Sequence, residues 1–508
     1  MRVQDCLVAA LLAGAMLLVP GMAAAADSEL RLASYGAIES FDPDAAADEA
    51  GVAARDAVYD GLVAYEPGKT RITGRVAQSW TVSPDGLTYT FKLRSGVTFH
   101  DGTPLDSDAV KASLARRMAA AHPPRRLDGI AEVAAPDALT VVVRLNQRQP
   151  WLLDTLAGAW GPKILSPAAL AAQGSPEAAA AWLRTHDAGS GPFQVAQVTQ
   201  GGLRLERFGG YWGTAPWFAA ISVAALPDAA AQALRLQAGM LDAVANVYPP
   251  ASLDRLPAAF RVTALSGLNM IVGVVNPLLA LTNDDARRAV LTAMHPKWWL
   301  PEIFGAYGSP ATTLFPAGMI ETLEPLELPS DLVVARRLVP RAGGVSLTVG
   351  YRTSQADVLR GPVEVLVSNL RALGVVADAV LVPDAAVARY ARQPTAGPDI
   401  LVVCTAPGEA TPRAQAQTYY LGSGPGNVFG LIDPNASRLA READAITDRN
   451  DALKQYLLAG DQLFASGGFV PLANIKGIVV HRDYLTGFAT RPGFPVGNFD
   501  YALLAESE

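Results

Sequence analysis

The stretch YTFKLRSGVTFHDGTPL (residues 89–105) sets a histidine beside an aspartate, two side chains that hydrolases use together to activate a nucleophile. His100 and Asp101 are adjacent in the chain, and adjacent side chains in an extended or turn backbone diverge. Gly96 and Gly102 predict a tight turn on each side of the pair. We therefore interpret the stretch as a strand, two turns and the start of a helix, with a structural role.

Other signatures of catalysis or metal binding are missing from the sequence. No G-x-S-x-G motif occurs, and PGKT (67–70) lacks the first glycine of a phosphate-binding loop because Val63 stands there. The five histidines show no spacing typical of a zinc site. We predict no catalytic residue, no metal ligand and no cofactor, and an exported hydrolase is the disfavoured alternative.

The compartment and size follow from composition. The 508 residues carry a formal net charge of −7, which argues against a nucleic-acid partner. Residues 1–26 predict a secretory signal peptide, because an apolar run from Leu7 to Val19 is followed by small residues. Cys6 lacks the tripeptide that precedes a lipidated cysteine, so we expect a periplasmic protein without a lipid anchor. After cleavage Cys404 is the remaining thiol, and the length predicts at least two lobes.

The rest of the pattern mixes short alternating strands with alanine-rich helices, which is typical of an α/β protein with mixed sheets. The predicted strands are 29–35, 87–94, 139–145, 203–208, 345–351, 375–382 and 399–404. A helix is predicted over 356–373, and residues 47–65 are predicted to be a helix that runs into a short edge strand.

A further helix is predicted directly after the opening stretch. Asp106 or Ser107 is a suitable N-cap, and Val110, Leu114 and Met118 then recur at helical spacing. We expect these three apolar side chains to face the core.

Six segments, taken in order, resemble the extracytoplasmic solute-binding proteins of ABC importers, family 5, the peptide, nickel and opine type. The opening stretch lies in the longest, RVAQSWTVSPDGLTYTFKLRSGVTFHDGTPLDSDAVKASLARR (75–117). The others are ESFDPDAAAD (39–48), the loop AGSGPF with the strand that ends in Tyr-Trp (188–212), and residues 223–243, 283–316 and 469–488. These segments spread over the chain, which is therefore identified as a member of the family.

The resemblance implies a two-lobed periplasmic binding protein fold (type II, large family 5 variant) with mixed sheets and an extra subdomain in lobe I. It implies lobe I at 27–266 with the subdomain at roughly 45–190, lobe II at 267–479, and a return to lobe I at 480–508. A hinge of two crossing segments is expected near 266–276 and 476–482, where strands absorb the dihedral change as the lobes close.

The resemblance also implies a function. Such a protein holds a small-molecule or peptide ligand in the cleft and delivers it to the membrane permease of an ABC transporter. We expect a peptide or amino-acid conjugate as ligand and a monomeric protein. A non-peptide cargo (opine, metal chelate, haem or sugar) and a periplasmic sensor or chaperone are the open alternatives.

One loop carries the main expectation about the site. In peptide binders of the family, a loop W-x-x-D-x-x-x-P follows the strand that corresponds to 399–404, and its aspartate bonds the ligand's α-amino group. Alignment on Pro412 places Thr405 at the tryptophan and Gly408 at the aspartate. Glu409 is one residue away and is the candidate for the negative charge, with a solvated loop carboxylate as the alternative.

Other candidates come from strand ends and aromatic positions. Arg352 follows strand 345–351 at its carboxyl end and suits a ligand carboxylate or phosphate, with a surface arginine as the alternative. The GSGP loop (189–192) suits a turn or a lining of the cleft. The remaining candidates for the ligand-binding wall are Tyr35, Phe41, Tyr248, Asn269, Cys404 and Phe429.

Overall fold

The computed structural model describes residues 28–34, 36, 38–45, 48–120, 127–226, 228–245, 257–276, 278, 284–320, 326–339, 346–421, 424 and 426–507. The predicted signal peptide, residues 1–26, lies outside the described residues. Over the described part of the chain, no helix combines the length and the apolar character that crossing a membrane requires.

Strands and helices alternate along the chain. The strands are β1 (Glu29–Ser34), β2 (Val63–Tyr65), β3 (Ile72–Gly74), β4 (Ala77–Val82), β5 (Thr88–Leu93), β6 (Ile130–Asp137), β7 (Thr140–Leu145), β8 (Phe193–Thr199), β9 (Gly202–Arg207), β10 (Ala220–Ala225), β11 (Ala243–Ala245), β12 (Phe260–Val275), β13 (Gly308–Pro310), β14 (Ser346–Arg352), β15 (Val376–Val382), β16 (Ile400–Thr405), β17 (Phe469–Arg482), β18 (Leu485–Thr486) and β19 (Ala505–Glu506). The helices are α1 (Val52–Val58), α2 (Ser107–Ala119), α3 (Leu152–Ala157), α4 (Pro167–Ala171), α5 (Pro176–Trp182), α6 (Ala229–Gln237), α7 (Asp284–Ala293), α8 (Leu300–Phe304), α9 (Leu332–Leu338), α10 (Ala356–Ala372), α11 (Asp384–Tyr390), α12 (Pro412–Gln415), α13 (Pro434–Ala445) and α14 (Arg449–Ala465).

Lobe I is built on a sheet of order β1-β10-β9-β8, in which β1 and β10 are parallel and the other pairs antiparallel. Leu30 and Leu32 of β1 alternate toward a buried core, where they meet Ile221 and Val223 of β10. Residues 47–65 form a helix followed by a short strand, as predicted: α1 ends where the backbone becomes extended at Tyr59, and β2 follows at Val63–Tyr65.

The subdomain of lobe I is a second sheet, of order β4-β5-β7-β6. Its strand β5 buries Tyr89, Phe91 and Leu93 on one face, as the alternation predicts. Helix α2 follows, and the carboxylate of Asp106 accepts a hydrogen bond from the backbone N–H of Ala109 at 2.9 Å.

The expectation that Met118 faces the core is wrong. Val110 and Leu114 are buried, but Met118 is 40% exposed in the last turn of α2. Arg117 is the buried side chain of that turn, and its guanidinium donates to Asp44 and to the carbonyl oxygen of Pro43. Because its charge is satisfied by these partners, Arg117 takes the buried position in this turn, and Met118 is left at the surface.

A large mixed sheet has the order β11-β17-β12-β16-β14-β15, with β13 also paired to β17. Lobe II is built on the part of this sheet that contains β16, β14 and β15 and the adjoining ends of β12 and β17. Residues 260–265 of β12 pair with 477–482 of β17 at the lobe I end, and 269–274 pair with 469–475 at the lobe II end. Between these ladders the three residues 266–268 face only Lys476, so the pairing is irregular where the strands pass between the lobes. The lobe boundaries predicted from the sequence stay predictions.

The subdomain also packs against lobe II. Tyr65 and Trp151 share a buried apolar cluster with Phe315 and with residues of α13 and α14. Asp154 in α3 is fully buried, accepts from Tyr65 Oη at 2.8 Å, and receives Nη1 and Nη2 of Arg449 at 2.9 and 3.2 Å. A two-pronged ion pair therefore joins α3 of the subdomain to α14 of lobe II.

Candidate functional site

A cavity of about 520 Å³ lies between the two lobes. Lobe I contributes the end of β1, residues 48–50 and residues 495–499, whereas lobe II contributes the first turn of α10 and the carboxyl ends of β14 and β16. The strands β14 and β16 are parallel, so Arg352 and Cys404 emerge at the same edge of the sheet. The volume falls in the range of small-ligand sites, roughly 300–1,000 Å³.

Gln355 fixes the end of β16 at the cavity wall. Its Nε2 donates to the carbonyl oxygen of Cys404 at 2.9 Å, and the Cys404 N–H donates to its Oε1 at 3.0 Å. Burial raises the pKa of the Cys404 thiol far above its ordinary value, so the thiol stays protonated and is not a reactive thiolate.

Five carboxylates and one arginine lie in the part of the cavity wall that the structure describes, namely Glu39, Asp48 and Glu49 from lobe I and Arg352, Asp357 and Asp384 from lobe II. Arg352 Nε donates to Asp384 Oδ1 at 2.8 Å. Asp48 receives Nη1 of Arg55 at 2.9 Å. The wall therefore carries an excess of negative charge supplied by both lobes.

The pKa values of two of these carboxylates reflect that excess. Burial raises the pKa of Asp357 from 3.8 to about 6. Glu49 is solvent-exposed within the cavity, but the protein around it disfavours its charge and raises its pKa, while nearby Arg352 lowers it and Asp384 and Asp357 raise it. For Asp384 burial acts upward, but hydrogen bonds from Ser354 and Arg352 outweigh it and lower its pKa.

Asn269 lies in the wall at the first paired residue after the irregular stretch of β12. Its side chain is 3% exposed, and its Oδ1 accepts no hydrogen bond from any described residue. A buried polar atom without a partner costs about 1–3 kcal/mol, and native proteins usually satisfy it with water or a ligand.

The candidates predicted from the sequence divide into three groups. Asn269, Arg352 and Cys404 line the cavity. Tyr35 and Tyr248 lie outside the described residues. The others do not line it, namely Phe41 in the core of lobe I, Phe429 stacked on Tyr390 in lobe II, and Thr405 and Glu409 in the strand and loop after Cys404.

The loop that carried the main expectation turns toward the subdomain instead of the cavity. The Gly408 carbonyl accepts from the N–H of Ala159 at 2.9 Å, and the Ala410 N–H donates to Tyr65 Oη at 2.9 Å. A Cβ atom on Gly408 would lie 2.4 Å from Trp160 Cδ1, so the aspartate of the peptide-binder motif does not fit here. Glu409, at 2% exposure, is buried in this loop and lies outside the cavity wall.

The acidic residues Glu39, Asp48, Glu49, Asp357 and Asp384 were missed from the sequence. They come from two segments on opposite sides of the chain's midpoint, and no spacing relates them. Only Asp357 could have been predicted, from its position in the chain. It lies in the first turn of the helix that follows the strand ending at Arg352, and ligands commonly bind at that edge of an α/β sheet.

The histidine and aspartate of the opening stretch do not pair with each other. His100 Nδ1 bonds Asp187 Oδ1 at 2.5 Å and its Nε2 bonds the carbonyl oxygen of Gly191 at 3.0 Å. Burial acts to lower the pKa of His100, but these two bonds outweigh it and raise the pKa. Asp101 accepts instead from Thr103 and Ser166.

The GSGP loop packs against the end of α1 and is not part of the cavity wall. A Cβ atom on Gly189 would lie 2.1 Å from the carbonyl oxygen of Val58. Ser190 Oγ donates to Asp60 Oδ2 at 3.1 Å. The glycines therefore allow close approach of two backbones inside lobe I.

The sequence and the fold are similar to those of known proteins. The family model described as bacterial extracellular solute-binding proteins, family 5 Middle, matches residues 71–427. The glutathione-binding protein GsiB of Escherichia coli O1:K1 / APEC is 29% identical over 311 residues, which are 60% of this chain and 59% of that protein. The matched part of the chain thus spans less than two thirds of the length of this curated relative.

Solved structures match over nearly the whole chain. The periplasmic binding protein DppA from Helicobacter pylori, in complex with the peptide STSA, has a TM-score of 0.78 at 22% identity, covering 95% of this chain and 98% of its own. MoaA from A.tumefacien R10, in complex with mannopinic acid, has a TM-score of 0.80 at 21% identity, covering 95% and 100%. The predicted mixed α/β, two-lobed fold is confirmed by these structures.

Proposed function

The chain belongs to the bacterial extracellular solute-binding proteins of family 5, and from that premise we propose that it captures a small ligand between its lobes and delivers it to the permease of an ABC importer. The observation that carries this proposal is the cavity of about 520 Å³, whose wall comes from both lobes. A ligand in such a space contacts both walls at once only when the lobes are together. It therefore binds the closed form more tightly than the open form and shifts the equilibrium toward closure.

Two features outside the cavity support a proposal for how the lobes close and open. The proposed crossing point at which the lobes move is the irregular stretch 266–268 of β12, which lies between the two ladders opposite Lys476 of β17. The ion pair between Asp154 and Arg449 holds the subdomain against lobe II when the lobes are together. Capture is non-covalent, and no chemical step on the ligand is proposed.

The ligand is proposed to be a peptide or an amino-acid conjugate. The cavity volume suits a ligand of this size. The names of the similar proteins include a glutathione-binding protein, a complex with a peptide and a complex with mannopinic acid. Gly408 stands where the peptide-binder motif has its aspartate, so the ligand's α-amino group is proposed to be held by carboxylates of the cavity wall instead.

The compartment and partners follow from the same proposal. The protein is exported through the signal peptide at residues 1–26 to the periplasm, without a lipid anchor, and acts as a monomer with the membrane permease of an ABC transporter.

The test is to identify what the exported protein carries. Native mass spectrometry after mild purification should show a bound molecule of peptide size, released on denaturation. Dipeptides to pentapeptides, an opine and a nickel–histidine chelate should then be screened by thermal unfolding. A true ligand raises the midpoint progressively, with the logarithm of its concentration once that concentration exceeds Kd. If no molecule copurifies and no compound raises the midpoint, the capture function is rejected.

A further inference from the structure

The acidic wall of the cavity is not neutralised inside the protein. Two of its carboxylates, Asp48 and Asp384, have arginine partners, as described above. No ion pair joins Glu39, Glu49 or Asp357 to any residue in the described ranges. Three carboxylates from both lobes therefore face one space without a bonded cation of their own.

The surroundings of two of these groups disfavour their ionised forms. Burial raises the pKa of both Glu49 and Asp357, and the neighbouring Asp384 raises that of Glu49 further. Arg352 is the charged group that acts in the opposite direction on Glu49. A cation placed among these carboxylates would favour their ionised forms and lower both pKa values.

A separate observation points to a ligand that donates hydrogen bonds. Asn269 Oδ1 is buried in the same wall and accepts no hydrogen bond from the described residues. An oxygen acceptor is satisfied by an N–H or O–H donor. Ammonium, guanidinium and peptide N–H groups all supply such a donor.

The arrangement does not suit a single metal ion. Among the described residues, no three His, Cys, Asp or Glu side chains come close enough together to hold a metal ion. The carboxylates are therefore spread over the wall, and each can meet a different positive group of one molecule.

Arg352 adds a requirement for a negative group on the ligand. Its Nε is used by Asp384, whereas its terminal Nη atoms bond no residue in the described ranges, and the side chain is 32% exposed. A planar guanidinium with free terminal nitrogens suits a carboxylate. A ligand with several cationic groups and one carboxylate would satisfy both parts of the wall.

We infer that the ligand of this cavity is a short basic peptide, in which ammonium or guanidinium groups lie beside Glu39, Glu49 and Asp357 and the terminal carboxylate lies beside Arg352. The inference rests on the proposed capture function and names its substrate class. The shared chemistry, an organic polycation, also occurs in free polyamines, which lack the carboxylate.

The test is isothermal titration calorimetry with four probes, at about 0.15 M salt so that only close charges contribute. The probes are Lys-Ala-Lys, Ala-Ala-Ala, Glu-Ala-Glu and spermidine. Lys-Ala-Lys has two more ammonium groups than Ala-Ala-Ala, and we expect it to bind about 100-fold more tightly, roughly tenfold for each added charge-assisted hydrogen bond to a wall carboxylate. Glu-Ala-Glu should bind most weakly of the peptides.

Each other result overturns a stated part of the inference. Equal or tighter binding of Ala-Ala-Ala or Glu-Ala-Glu overturns the preference for cations and leaves the capture function standing. Spermidine binding as tightly as Lys-Ala-Lys overturns the assignment to a peptide. Failure of all four probes overturns the inference, and the capture function is then judged separately by the copurified molecule.

Three cavity variants and one control locate the effect. With the α-ammonium group beside Glu39 and the two side-chain ammonium groups beside Glu49 and Asp357, Glu49→Gln and Asp357→Asn should each weaken Lys-Ala-Lys about tenfold and leave Ala-Ala-Ala unchanged. Asn269→Leu should weaken both peptides. Glu177→Gln removes the same charge from the exposed face of α5, outside the cavity wall, and should change neither affinity. An equal loss in Glu177→Gln would show that net charge, and not the wall, attracts the peptide.

Discussion

Replacing Arg449 by alanine should weaken the contact between the subdomain and lobe II. The guanidinium contacts both carboxylate oxygens of Asp154 and lies 4.4 Å from the ring centre of Trp151. After the replacement Asp154 keeps its bond from Tyr65 Oη but loses its cation while the lobes are together. With the lobes apart, water can reach the carboxylate, so the substitution penalises the closed form.

The magnitude follows from the burial of the two partners. Loss of one partner of a fully buried pair costs about 3–5 kcal/mol, and an exposed pair contributes about 1 kcal/mol or less. Asp154 has a side-chain exposure of 1% and Arg449 of 46%, so the pair lies between these limits. We expect a loss of about 2 kcal/mol, which is about a 30-fold shift of the equilibrium away from closure.

Small-angle X-ray scattering of the unliganded protein measures this shift as a larger radius of gyration. Lys454→Ala is the matched control, because Lys454 lies on the same helix and pairs with Asp451 at the exposed surface. A double-mutant cycle with Asp154→Asn should show that removing Arg449 costs little once the carboxylate is gone. If Arg449→Ala and Lys454→Ala have the same radius and the same unfolding midpoint as the wild type, the ion pair does not hold the lobes together.

Three further predictions concern protonation and packing. The pKa of Asp357 is about 6 in the folded chain against an ordinary 3.8, so the folded state binds the proton more tightly than the unfolded state. The unfolding free energy should therefore rise by about 2 kcal/mol as the pH falls from about 6 to about 4. Urea unfolding of Asp357→Asn at each pH should lack this rise. The raised pKa of His100 stabilises the fold fully below its ordinary value of 6.5 and less as the pH rises through the folded value. The stability advantage of the wild type over His100→Gln in urea unfolding should therefore shrink as the pH rises toward 9, and an advantage that does not change with pH would contradict the two hydrogen bonds of His100. Gly189→Ala should lower the unfolding free energy by about 2–4 kcal/mol in chemical denaturation because its Cβ meets the Val58 carbonyl, whereas Gly209→Ala, which meets no atom within 4 Å, should cost less than about 1 kcal/mol.

Local patterns in the sequence predicted the elements of the fold well. Tyr89, Phe91 and Leu93 alternate in sequence and are buried on one face of β5. Strands and helices are determined largely by residues close together in the sequence, so the spacing of apolar residues predicts where these elements form. Met118 shows the limit, because the buried side chain of its turn is the charged Arg117, whose partners lie in distant segments.

The site was predicted less completely than the fold. Arg352 was found because it follows a strand at the sheet edge, and Asn269 lies beside the predicted crossing. The expectation for the loop with Glu409 came from alignment to a motif, and its actual direction is set by Trp160, a residue from the subdomain. Glu49 and Asp357 line the same cavity only once the two lobes are assembled, and neither segment contains a sequence pattern that predicts this.

The long pairing of β12 with β17 has a consequence for the order in which parts of the chain fold. β12 ends at Val275 and β17 begins at Phe469, so every hydrogen bond between them closes a loop that contains almost all of lobe II. Closing so long a loop has a high entropic cost, and contacts of high sequence separation form slowly. The large mixed sheet is therefore completed only when β17 pairs, and a chain truncated before Phe469 would leave this sheet without the strand between β11 and β12.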